Sequence, residues 1–263
     1  MRAFNQPVSR VSLEQGEYAN TGFTQWGASG LAAAWAEENT RESIFNAFRR
    51  KETFATTGTR IAVRFFGGYN LSSIDLNSES LVSEAYQKGV TMGSDLLHNE
   101  NKIPEFLVWA QRDKNGAPLQ RIQIIKGWID NNSGRPKEKV FDVACSDGMQ
   151  PDPITNRCPD NGARVNINDC SISTNVGSSE LKTVWKDPEF APDDKTFYYV
   201  RVLENPTCRW STWDAIKAGY KPREGLHETI QERAWSSPIW YIPEQSDVEV
   251  VPLGGTIQLR NID

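Results

Sequence analysis

WAEENTRESIFNAFRRKETFATTG, residues 35–58, runs directly into TRIAVRFFGG, residues 59–68, and the hydrophobic period of the chain changes between them. In the first stretch Ile44, Phe45 and Phe48 supply an apolar helical face. Arg49, Arg50 and Lys51 stand where a helix dipole favours cations. Asn39 followed by Glu42 fits a capping box, so the reading predicts a helix over Thr40–Lys51. In the second stretch Ile61, Val63 and Phe65 alternate with Arg60, Ala62 and Arg64 until Gly67-Gly68. That period of two predicts a strand.

Working outward from this junction, strand patterns dominate. SESLVSEAYQK (78–88) predicts one short amphipathic helix stopped by Gly89. A meander is then expected over Glu105–Arg112, Leu119–Ile129 and Glu138–Cys145, with Asn115-Gly116 as the hairpin signal between the first two. Residues 146–180 are poor in apolar side chains and rich in Asp, Asn, Pro, Ser and Gly, which predicts long loops. Strand character returns at Leu181–Trp185, Thr196–Leu203, Ile230–Trp235 and Pro238–Ile242, and Val248–Leu259 adds a further candidate. Thr212–Ala218 reads as a helical turn. Many short strands separated by turns predict a mainly β, sandwich-like domain over residues 59–263.

Composition narrows the function. The 263 residues carry 34 acidic and 29 basic side chains, interspersed, for a net charge of −5, so no basic stripe offers a nucleic-acid face. No apolar run approaches the roughly 20 residues of a membrane-spanning helix. The first residues, MRAFNQPVSRVSLEQGEYANTG, lack the apolar centre of a signal peptide and read as an exposed arm or a segment cut from a longer chain.

Cys145, Cys158, Cys170 and Cys208 form no CxxC pair, and zinc ligation has no support in their spacing. Three of them lie in or beside the loop-rich stretch, where disulfides would hold what no core can; free thiols are the alternative. Four cysteines allow three pairings. The expected pairing is Cys145–Cys158, closing a short polar loop, and Cys170–Cys208, tying its far end to the segment after FYYVRVL. Disulfides imply a periplasmic or secreted protein, and free thiols leave a cytoplasmic one.

Several segments in order, LAAAWAEENTRESIFNAFRRKETFATTGTRIAVRFFGG (31–68), GVTMGSD (89–95), RIQIIKGWID (121–130), FYYVRVLENPTCRWSTWDA (197–215) and QERAWSSPIWYIP (231–243), resemble one family. It is the bacterial domain of unknown function 3604, related to PHP-type metal-dependent hydrolases. The resemblance implies that residues 1–58 are the end of an α/β barrel with its terminal helix, so that the whole is α+β. It also implies a divalent metal in the full-length family, activating water against a phosphoester. His98 and His227 are the only histidines, and the upstream Asp-x-His motifs are missing, so this chain is expected to hold no metal or other cofactor of its own. Its expected partners are the missing barrel portion and a second copy of the chain. Two functions follow: the C-terminal portion of such a hydrolase, or a non-catalytic module that stabilises the barrel or binds a ligand or partner.

No catalytic residue is assignable. Glu37, Glu38 and Arg41, at the start of the helix, would sit at a barrel mouth. Arg41 would hold an anionic group and Glu37 orient water, or the set simply complements the helix terminus. Met92 and Asp95 lie in the glycine-bracketed GVTMGSD, which either approaches a ligand or makes a plain turn. Arg209, Trp210, Trp213 and Asp214, and again Glu232, Arg233, Trp235 and Trp240, combine cation, aromatic face and carboxylate, for a ligand pocket or for an interdomain seam. Arg60 and Arg64 read as a solvated or interface face, and the two histidines as surface residues.

Overall fold

A computed structural model describes residues 10–13, 16–19, 27, 29–100, 102–130 and 133–244. The strands in chain order are β1 (Arg10–Leu13), β2 (Gly16–Ala19), β3 (Leu31–Ala34), β4 (Thr53–Thr56), β5 (Ala62–Gly68), β6 (Gly89–Thr91), β7 (Asp95–Leu97) and β8 (Glu105–Gln111). They continue as β9 (Leu119–Ile129), β10 (Pro136–Cys145), β11 (Glu180–Lys186), β12 (Thr196–Glu204), β13 (Thr207–Cys208), β14 (Thr229–Ile230), β15 (Arg233–Ser236) and β16 (Ile239–Ile242). Among the described residues three α-helices accompany them: α1 (Arg41–Arg49), α2 (Leu81–Lys88) and α3 (Trp210–Lys217).

Two sheets pack face to face. The larger runs β10-β9-β12-β15-β4-β3, with β16 also on β12 and β7 parallel to β16; the smaller runs β11-β8-β5-β6. Strand alternation puts Val63 and Phe65 of β5 and Phe106, Val108 and Ala110 of β8 against Ile122, Ile124, Tyr198, Val200 and Val202 of the larger sheet. Each large apolar side chain buried there contributes roughly 1.5–3 kcal/mol. The opposite face of the smaller sheet presents Phe66 and Leu107 to Leu81 and Ala85 of α2, which makes a third layer. The described residues are therefore mainly β, in packed antiparallel sheets, as the alternation predicts.

Of the expected meander, the second hairpin, β9 with β10, is formed, and the first is corrected. β8 pairs with β5 and β11, whereas β9 pairs with β10 and β12, so the turn at Asn115-Gly116 crosses from one sheet to the other. The turn itself is sound: Asp113 accepts from the amides of Asn115 (2.9 Å) and Arg60 (2.8 Å).

The start of α1 also differs from expectation. Thr40, not Asn39, is the N-cap, and its side chain accepts from the Ser43 amide. Ser43 Oγ in turn accepts from the Glu38 amide at 3.1 Å, so Glu42 takes no part. Ala47 is the buried residue of the helix, while Phe45 and Phe48 are 60% and 53% exposed. On either side of α1, β3 and β4 pair with each other, and β4 joins β15, so the larger sheet runs across the expected boundary at residues 58 and 59. Trp35 Nε1 donates to the Val63 carbonyl at 2.8 Å and its ring packs on the central core. The strand expected at Val248–Leu259 lies outside the described residues.

Candidate functional site

Both expected disulfides are formed, Cys145–Cys158 and Cys170–Cys208. They anchor the apolar-poor loop at the C-terminal end of β10 and at β13. Such bridges accord with an oxidising compartment. Among the described residues, no helix is long and apolar enough to cross a membrane.

This pinned loop forms one wall of a cleft of about 500 Å³, opposite the start of β9 and the β14–β15 segment. Four arginines line it, Arg121, Arg164, Arg209 and Arg233, together with His227 and a single carboxylate, Asp160. Gln120, Gln231 and Asn161 interlock beneath: Gln231 Nε2 donates to Gln120 Oε1 (3.0 Å) and to the Glu204 carbonyl (3.0 Å), and Gln120 Nε2 donates to Asn161 Oδ1 (3.3 Å). This fixes the amide planes that orient Arg121, whose Nε donates to Gln120 Oε1 at 3.0 Å.

Charge in the cleft is unevenly compensated. Arg121 pairs with the buried Asp142 at 3.1 Å, and Arg164 pairs with Asp160 at 2.9 Å, holding that carboxyl below its usual range. Arg209, 7% exposed, donates to Ser211 Oγ at 2.6 Å with its guanidinium 5.0 Å from the Trp210 ring. Arg233 donates only to the Gln231 carbonyl (3.2 Å) and has no carboxylate partner among the described residues. The lining thus carries more cations than carboxylates, a fit for phosphate, sulfate or carboxylate groups.

Of the residues singled out in the sequence, Arg209 and Arg233 are brought together here. Their neighbouring tryptophans are not part of the lining. Trp213 is 39% exposed on α3 beneath Lys217, and Trp240 stacks on Phe197 with ring centroids 5.0 Å apart. Glu232 faces the sandwich interior while Arg233, the next residue, faces the cleft.

Glu37 lines a separate cavity of about 500 Å³ with Trp35, Arg50, Glu52, Arg64, Tyr86 and Thr91. Glu52 is buried there and accepts from the hydroxyls of Tyr86 and Thr91, and the Arg64 guanidinium lies 3.7 Å from the Trp35 ring. Burial and the Glu52 carboxylate raise the Tyr86 pKa. Arg64 is therefore a packed residue rather than a solvated one. Arg41 is exposed and pairs with neither Glu37 nor Glu38. Met92 is a correction: its side chain is fully buried in the central core, out of reach of a ligand, and its amide donates to the Phe65 carbonyl at 2.9 Å. Asp95 is exposed at the start of β7, and Thr91 is the residue of GVTMGSD that reaches the cavity.

His98 is also not an ordinary surface histidine. Its Nδ1 lies 2.7 Å from the Tyr241 hydroxyl, which donates to the Pro192 carbonyl at 2.9 Å. Burial pushes the Tyr241 pKa up to about 12. Arg121, Arg164 and Gln231 went unnoticed in the sequence. Cys208 next to Arg209, and Cys158 two residues before Asp160, were the available signals that a stapled wall would stand beside an arginine.

The site is a disulfide-pinned, arginine-lined cleft between packed β-sheets. Residues 3–243 match the family described as protein of unknown function (DUF3604), and the chain belongs to that family. No curated protein and no solved structure matches it.

Proposed function

We propose that this chain is the C-terminal, β-sandwich portion of a PHP-like metal-dependent hydrolase of phosphoesterase type, and that its arginine cleft holds the anionic group of the ligand. The observation that carries the reading is the cation excess around a cleft of about 500 Å³, with Arg233 lacking a carboxylate partner among the described residues. Family membership supports the wider assignment, although Leu31–Thr56 is itself built into the larger sheet.

The chain's own residues do not fit the divalent catalytic metal that the resemblance implies. His98 is bonded to Tyr241, and His227 stands among four arginines. No group of three or more His, Cys, Asp or Glu among the described residues is placed to hold a metal ion. No catalytic step is assigned to these residues. Their work is electrostatic: Arg209 and Arg233 receive the anion, and the bridges keep the wall in place.

A second reading, a non-catalytic module that stabilises the barrel or binds a ligand or partner, is favoured by the exposed Phe45 and Phe48 on α1, which suit a partner surface. Calorimetric titration with inorganic phosphate tests the anion cleft itself. The anion cleft requires measurable binding, weakened at least about tenfold in Arg233→Ala, since a hydrogen bond to a charged group contributes about 1.5–3 kcal/mol. Phosphate binding that is absent, or unchanged in the variant, overturns the cleft and leaves the second reading.

A further inference from the structure

Among the described residues, four buried side-chain oxygens lack a hydrogen-bond partner: Oε1 and Oε2 of Glu204, Oε2 of Glu232 and Oγ1 of Thr59. All belong to one place. β12 alternates so that Tyr198, Val200, Val202 and Glu204 face inward, and the neighbouring β15 segment turns Glu232 toward the same end of the sandwich. The Glu204 amide donates to the Glu232 carbonyl at 2.9 Å, locking the two residues side by side.

We propose that Glu204, Glu232 and Thr59 form a calcium site at this end of the sandwich. Ionised carboxylates accept and never donate, so two of them together require protons or a cation. Every unpartnered atom is an oxygen, with no imidazole or thiolate among them. That donor set selects a hard cation over zinc or copper. Calcium tolerates irregular coordination and completes its shell with water, whereas magnesium demands near-ideal octahedral geometry. The disulfides add independent support, because they accord with an extracellular setting, where calcium-binding modules need only modest affinity.

The surroundings are built around the Glu204 carboxylate, whose residue is 0% exposed. Gly116, from the turn that crosses between the sheets, comes so close that a Cβ there would stand 2.8 Å from Glu204 Oε1. The charged groups facing the site are Glu232, just before β15, and Asp113 from the crossing turn; both Asp113 oxygens are engaged by backbone amides, so it contributes charge rather than a ligand. Burial first, then the Glu232 charge, push the Glu204 pKa up to about 7; the Thr59 hydroxyl and the Ala117 amide are close enough to pull the other way, but neither reaches the carboxylate with hydrogen-bond geometry.

The test uses the full chain stripped with EDTA and titrated with calcium at pH 8, with magnesium as comparison. The expected result is uptake of about one calcium ion per chain below about 10 mM, with Tm raised by several degrees and a weaker response to magnesium. Glu204→Gln should abolish both uptake and shift while keeping the wild-type circular dichroism. Gly116→Ala, which changes space but not charge, should weaken calcium binding at least about tenfold. A wild-type chain whose Tm and binding heat do not respond to calcium overturns the site. So does an undiminished response in Glu204→Gln or in Gly116→Ala, since calcium would then bind elsewhere.

Discussion

Two buried ionic groups at different places in the same sandwich are treated in opposite ways. On the side of β9 toward its C-terminal end, Lys126 Nζ meets Asp187 Oδ2 at 2.6 Å, with the two side chains 3% and 0% exposed. Lys126 also donates to the Glu189 carbonyl (2.7 Å), and Tyr198 donates its hydroxyl to Asp187 (2.7 Å). Burial and the Asp187 charge raise the Tyr198 pKa, so the phenol stays a donor. At the C-terminal end of β12, Glu204 and Glu232 have like charge and no partner for three of their oxygens. The first group is complete and needs nothing from outside. The second is incomplete, and it lies back to back with the uncompensated Arg233 across β15. Compensated charge marks structure here, and uncompensated charge marks the end of the molecule where both proposed sites lie.

Breaking the complete pair should have the largest effect. Lys126→Met leaves Asp187 buried without its cation, and urea denaturation should report a loss of about 3–5 kcal/mol. A loss below about 1 kcal/mol would mean the pair behaves as a solvated surface bridge, and the contrast would lose its footing.

The bridges come next. Cys170 and Cys208 are 38 residues apart in sequence, and Cys208→Ala with Cys170→Ala should cost about 4 kcal/mol on the chain-entropy scale. The same change frees the wall beside Arg209, so phosphate titration should lose its heat even at temperatures where circular dichroism still reports a folded sandwich. Retained phosphate affinity would show that the cleft does not depend on the stapled loop.

The legible and illegible parts of this protein divide along the same physical line. Local periodicity announced β5, because Ile61, Val63 and Phe65 alternate cleanly, and it announced β9 and β12 by their β-branched and aromatic runs. Where the chain goes after a turn is not local. Asn115-Gly116 signalled a reversal, but which sheet received the next strand depended on pairing with β10 and β12 far along the chain. The cap at Thr40 rather than Asn39 turned on one extended residue, a choice composition does not resolve. The cysteine pairing was readable from loop length and the missing apolar content around it. For the site, Arg209 and Arg233 were visible as cations beside tryptophans, yet their convergence depended on the two bridges. Glu204 was hidden in plain view: in TFYYVRVLE it occupies the inward register of Tyr198, Val200 and Val202. A carboxylate on a core register is the sequence signal for an unusual buried charge. Met92 misled because bracketing glycines suggest an open loop, whereas Gly93 is required by its close approach to the Lys51 carbonyl, at a φ of +88°.

Glu204 gives the most direct test of the distinction between complete and incomplete charge. Folding holds its proton up to about pH 7, whereas an unfolded chain releases it near pH 4.5. Across that window the folded state binds the extra proton, so stability falls as pH rises and levels off above about 7. Asp113 and Asp160, held below their usual range, act at lower pH and leave this window clear. The measurement is unfolding free energy against pH from 5 to 8 in the presence of chelator, for wild type and for Glu204→Gln. Wild type is expected to lose about 2.5 kcal/mol relative to the variant over that range. Parallel profiles would contradict it, because Glu204 would then be as well compensated as Asp187.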